Sequence, residues 1–129
     1  GTSRDMTAFE SLKGNLGQLL ILLTLGWTLA ALCEEIVYRG YIPNRIRAIA
    51  GNQAAGKALA LLVSCALFGL AHREQGITGI IITMLDALFF SYVVAKNGGN
   101  LWTSVLVHGF MNSFGFIVFF FAGPLYGLW

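Results

Sequence analysis

The chain has 129 residues, 57% of them hydrophobic and only 11% charged, with eight Lys plus Arg against six Asp plus Glu. Soluble domains carry about 25% charged residues. This composition, with a mean hydropathy of +0.73, excludes a disordered segment, a coiled coil and a nucleic-acid binder, and makes lipid the solvent for most of one domain.

The chain opens Gly-Thr-Ser, reaches its first methionine at Met6, and shows no pattern of the signal-peptide kind. Such an opening reads as the edge of a domain within a longer membrane protein. Residues 1–13 are expected to form an interfacial or linker segment, amphipathic over 4–13, and residues 14–129 the membrane core. A spanning helix needs roughly 20 mostly apolar residues. Residues 14–33 contain no Asp, Glu, Lys or Arg, and the apolar pattern continues through Ile36, Val37 and Tyr41. A connector is predicted over 41–56, starting at Tyr41-Ile-Pro-Asn44. Residues 58–71 form a second apolar run, 77–95 a third interrupted only by Asp86, and 101–121 a fourth. Short turns over 73–76 and 97–100 separate them. The expected fold is all-α, a polytopic bundle of about four transmembrane helices without internal repeats. Cys33 and Cys65 lie in apolar runs without CxxC spacing and read as free core thiols. Arg45, Arg47, Lys57 and Lys96 fall on one side of this topology and Arg4, Lys13 and Arg73 on the other. The positive-inside rule makes the first side cytoplasmic.

Charges within a span cost about 2.5–3.5 kcal/mol each on insertion scales, so they face the bundle interior and mark sites or ion paths. Here Glu34, Glu35 and Arg39 end the first span, His72 ends the second, Asp86 lies in the third, and His108 and Asn112 in the fourth. At about 100° per residue, Glu35 and Arg39 share a helix face as an i,i+4 pair, while Glu34 is turned away from Arg39. His108 and Asn112 stack at the same spacing, as do Phe68 and His72. Each group has a plainer reading: a packing ion pair, an interfacial histidine, an interhelical hydrogen bond, a structural Asp86. Those readings do not explain why three helices each bring a polar group of catalytic type.

In order and spacing, Glu34-Glu-Ile-Val-Tyr-Arg39 (EExxxR), Phe68-Gly-Leu-Ala-His72 (FxxxH) and His108-Gly-Phe-Met-Asn112 (HxxxN) resemble the three motifs of the CPBP intramembrane protease family. That family includes the type II CAAX prenyl endopeptidases, Ras-converting-enzyme-like, and the bacterial Abi proteins linked to bacteriocin self-immunity. The resemblance runs from about residue 20 to 116, and Asp86 has no place in it. It implies an integral multi-pass protein, of a bacterial plasma membrane, that cleaves a membrane-tethered or prenylated peptide.

Peptide hydrolysis needs an activated water and a stabiliser for the oxyanion. Glu34 is the candidate general base, with His72 holding the same water and shuttling its proton. His108 and Asn112 form a plausible oxyanion hole, and the resemblance implies the same division. Glu35, Arg39 and Phe68 are expected to support these four. A metal-free glutamate mechanism is the expectation. Zinc on Glu34, His72 and His108 is the alternative, without the HExxH pattern of zinc proteases. The rival functions are a non-catalytic immunity or scaffold module of the Abi type and a proton-coupled transporter.

Overall fold

The computed structural model describes residues 3–124. The first two residues of the predicted interfacial segment, and residues 125–129 of the predicted core, lie outside the described residues. Everything regular among those described is helical. Four helices are long and apolar enough to cross a membrane: α1 (Leu16–Ala50), α2 (Ala54–Ala71), α3 (Gly76–Lys96) and α4 (Leu101–Ala122). A 3-10 helix, Thr7–Leu12, precedes α1, and another, Arg73–Gln75, links α2 to α3.

The one element that departs from expectation is α1. The predicted connector over 41–56 is mostly helix, and only residues 51–53 turn the chain into α2. At the α-helical rise, 35 residues reach about 50 Å, well beyond a roughly 30 Å hydrocarbon core. The last stretch, Ile42–Ala50, has no buried residue and carries Arg45 and Arg47. Inside α1 the hydrogen-bond pattern changes. Leu16–Leu25 is α-helical, Gly26–Glu34 and Ile36–Tyr41 are π-helical, and Ile42–Ala50 is α-helical again. Proline lacks an N–H and ordinarily breaks a helix, which is why Pro43 reads as a connector. Here it falls in the first turn after the π-helical stretch, where a missing donor is best tolerated.

Packing follows the logic of a lipid-exposed bundle. At most 33% of any spanning window is buried inside the protein. Leucines and phenylalanines such as Leu20, Leu62, Leu85, Phe110 and Phe114 point outward, as does Cys33, which corrects its expected core position. Cys65 is buried beside Phe68 and Ala87. The interior instead collects polar side chains: Glu35, Arg39, Ser64, Thr83, Ser104 and His108. Lipid tails give apolar helix faces no reason to associate, so close approach at small residues does much of the packing. Gly109 of α4 lies under the indole of Trp27 in α1, whose Nε1 donates to Ser113 Oγ at 3.0 Å. Gly69 of α2 abuts Met84 and the Ile80 carbonyl of α3.

Below the bundle the N-terminal segment is tucked against the end of α4. Met6 and Leu12 are buried with Leu19 and Phe119, and Phe9 contacts the rings of Phe116 and Phe119. Asp5 accepts from the Thr7 backbone N–H and from its hydroxyl. Those bonds hold its carboxyl below the usual carboxylate range.

The α1–α4 contact gives a direct test. A Cβ at Gly109 would lie 2.5, 2.6 and 2.7 Å from three atoms of the Trp27 ring. Gly109→Ala should therefore destabilise the protein by about 1–3 kcal/mol, the range for overpacking. The measurement is thermal unfolding in detergent, and Trp27→Leu in the same background should recover part of the loss.

Candidate active site

The motif residues come from three helices and meet around one cavity of about 240 Å³. Glu34 of α1, Phe68 and His72 at the end of α2, and His108 and Asn112 of α4 all line it. Glu35 and Arg39 do not; they stand behind it.

Glu35 is the centre of the arrangement. Its side chain is 0% exposed, against 29% for Glu34. Arg39 Nη1 lies 3.2 Å from Glu35 Oε1, so the i,i+4 pair is in place. The same oxygen also accepts from His108 Nδ1 at 2.8 Å, a contact the spacing of residues did not reveal. His108 Nε2 in turn faces Glu34 Oε2 at 4.0 Å. One imidazole thus stands between two consecutive glutamates. The i→i+5 bonding of a π-helix, roughly 4.4 residues per turn, lowers the rotation to about 80° and brings both carboxylates toward α4.

The ring contacts fix the imidazoles further. Phe90 of α3 stacks on His108 with centroids 4.6 Å apart and an interplanar angle of 17°. Phe68 lies 4.8 Å from the His72 ring, and the Arg39 guanidinium sits 4.3 Å above Phe68 and 5.1 Å from Phe90. His72 Nδ1 donates to the Phe68 carbonyl at 2.9 Å. Because a carbonyl can only accept, neutral His72 presents Nε2 as its acceptor.

The cavity has residues that the motifs did not indicate. Asp86, Thr83 and Phe90 of α3 line it. Their spacing, i, i+3 and i+7, is that of a single helix face, a signal present in the sequence but obscured because Asp86 was considered alone. Arg4 and Gln75 also line it. Arg4 Nε donates to Gln75 Oε1 at 2.6 Å, and Asp5 N to Gln75 O at 3.0 Å, so the N-terminal segment closes one wall. Burial pulls the Arg4 guanidinium below its ordinary value, opposed by the nearby charges of Asp86 and Glu74. Nothing in the local sequence marks Arg4 for this place.

Glu34, His72 and His108 are the set that would ligate zinc on the alternative reading. Among the described residues no three His, Cys, Asp or Glu side chains converge closely enough to hold an ion. His108 Nδ1 is engaged by Glu35, which leaves Nε2 as the nitrogen facing the cavity.

Comparison with known proteins bears on the family. No match was found among curated proteins or among solved structures. A family model described as type II CAAX prenyl endopeptidase Rce1-like matches residues 16–114. That stretch takes in both glutamates, both histidines and Asn112, and runs from the start of α1 into α4. With its four apolar helices the chain is an integral membrane protein, and it belongs to the Rce1-like type II CAAX prenyl endopeptidase family of intramembrane proteases.

Proposed function

We propose that this protein hydrolyses a peptide bond in a membrane-associated substrate by a glutamate-type mechanism. The substrate is a CAAX-type prenylated tail or, in a bacterial plasma membrane, a signal or leader peptide. The observation that carries the reading is the convergence of Glu34, His72, His108 and Asn112 on one cavity, with the two imidazoles held at Nδ1 and offering Nε2.

Glu34 is the general base. Its Oε2 is buried without a hydrogen-bond partner among the described residues, and a water in the cavity satisfies such an acceptor. The carboxylate takes a proton from this water as it attacks the scissile carbonyl. His72 Nε2 accepts a hydrogen bond from the same water, then takes the proton from the Glu34 carboxyl, returning Glu34 to its carboxylate, and passes it to the leaving amine as the C–N bond breaks. The tetrahedral oxyanion then needs donors. Asn112 supplies its amide N–H. His108 has already committed its Nδ1 proton to Glu35, so it donates through Nε2 only as the imidazolium. Glu35 is the carboxylate that faces the other nitrogen of this ring, and Arg39 holds Glu35 in place. No step passes through a metal.

Two tests follow, on purified full-length protein with farnesylated and unmodified quenched-fluorescent peptides. Glu34→Ala should lower kcat by at least about 10²–10⁴-fold, the span of general acid–base catalysis, and Asn112→Ala by about 10²–10³-fold, as for one oxyanion donor. Wild-type activity in Glu34→Ala sinks the mechanism. A wild-type protein that cleaves no peptide while Glu34→Gln keeps its cellular phenotype establishes the scaffold reading instead.

The second test addresses Glu35. Glu35→Gln removes the counter-charge of His108, so kcat should fall by about 10²–10³-fold with KM little changed, and Glu35→Asp should recover part of it. Equal losses for Asp and Gln, or a rise in KM alone, argue against the assigned role. Breaking a buried pair costs about 3–5 kcal/mol, so thermal unfolding of each variant accompanies the kinetics.

A further inference from the structure

Where α1 and α3 end and α2 and α4 begin, the chain places Arg45, Arg47, Lys57 and Lys96. None of its six carboxylate side chains is there. Asp5, Glu10 and Glu74 belong to the opposite end, and Glu34, Glu35 and Asp86 to the spans. A second cavity, of about 400 Å³, opens in this basic end. Arg39, Asn44, Arg47, Lys57, Ser64 and Ser91 supply its polar lining, which contains three cations and no carboxylate.

The cavity has graded depth. Asn44 and Lys57 are exposed at its mouth, Arg47 is half-buried, and Arg39 forms the floor with its side chain 2% exposed. Arg47 donates to the Asn44 side-chain oxygen, which steadies the guanidinium at the rim. The two serines have spent their hydroxyl protons on the Tyr38 and Ala87 carbonyls, so the side-chain donors left to the cavity are the Asn44 amide and the cations. Neither Nη1 nor Nη2 of Arg39 has a hydrogen-bond partner among the described residues. Nη1 faces Glu35, and the guanidinium lies over two aromatic rings. Both nitrogens are closed to solvent, so Arg39 acts on the cavity through its charge rather than as a donor. Glu35 balances one of the three positive charges, leaving an excess carried by Arg47 and Lys57.

We propose that this cavity is a binding site for a phosphate-bearing anion, with Arg47 and Lys57 gripping it at the mouth and the Arg39 charge beneath it. The volume falls in the range of small-molecule sites, roughly 300–1,000 Å³, and admits a phosphate with its organic substituent. Two sources carry this chemistry: the headgroup of an anionic membrane lipid, which basic pockets between spanning helices recognise, and a free phosphate ester. The site is separate from the catalytic cavity, and the inference stands whether or not the chain cleaves peptides.

The test uses full-length protein in detergent, with phosphatidylglycerol, phosphatidylcholine and soluble glycerol phosphate as probes. Native mass spectrometry reads retained lipid, and thermal unfolding reads stabilisation by the soluble ester. Two cations at a site of this kind account for about 30-fold in affinity, so R47Q/K57Q should bind phosphatidylglycerol about 30-fold more weakly than wild type. R45Q removes the same charge from the same helix outside the cavity and should stay within about twofold. Stabilisation by glycerol phosphate in wild type but not in R47Q/K57Q assigns the site to a free ester; selective retention of phosphatidylglycerol alone assigns it to lipid. The proposal is overturned if R47Q/K57Q binds as wild type, if R45Q weakens binding as much as R47Q, or if wild type prefers neither anion over phosphatidylcholine.

Discussion

The buried Glu35 carboxylate is the interaction on which the rest of the structure depends. In a bundle bathed in lipid, a lone charge inside is expensive and must be matched by a partner from the protein itself. Glu35 takes two partners on one oxygen, Arg39 from its own helix and His108 from α4. The charges then draw in the other two spans through their aromatic rings, Phe68 of α2 under the guanidinium and Phe90 of α3 stacked on the imidazole. All four spanning helices therefore meet at a single ion pair. The same contacts that hold the helices together also set the aim of a histidine in the motif cavity, so the residues that fix the packing also shape the candidate site.

Around this centre the molecule is built with its polarity reversed. Large apolar side chains face outward, and the fully or nearly buried positions include Ser64, Thr83 and Ser104 as well as the charged trio. Glycines at 69 and 109 let helices approach where a side chain would keep them apart. An aliphatic and aromatic cluster that resembles a soluble core lies low in the bundle, where Met6, Leu12, Leu19 and Phe119 pin the N-terminal segment under α4. That segment is short, yet it completes the catalytic cavity through Arg4 and its bond to Gln75.

Much of this was legible in the amino-acid sequence, and the parts that were not have physical causes. Long apolar runs located all four spans, the third broken only by Asp86, and the turns at 73–76 and 97–100 fell where glycine, asparagine and charge cluster. The Glu35–Arg39 pair followed from spacing alone, because i,i+4 neighbours touch on either an α- or a π-helical surface. The link from Glu35 to His108 did not, since it joins residues 73 positions apart and no local rule encodes it. Pro43 was misleading: proline usually stops a helix, but here it starts a new helical turn. Asp86 lies on the cavity-lining face that its i, i+3, i+7 spacing with Thr83 and Phe90 defines. Arg4 lies in a stretch whose amphipathicity speaks only of an interface, and its place in the cavity wall depends on tertiary folding.

The π-helical stretch of α1 bears on how such a site tolerates change in chain length. The angular position of Glu34 is stored in the backbone bonding pattern between Gly26 and Tyr41, not in the identity of the side chain. A helical wheel drawn at the ordinary pitch would put Glu34 and Glu35 about 100° apart, against about 80° with π-helical winding. Deleting a single lipid-facing residue there, even a leucine with no contact to the site, would let the segment tighten toward α-helical winding and swing the glutamates out of phase with α4. In this stretch the number of residues matters as much as which residues they are.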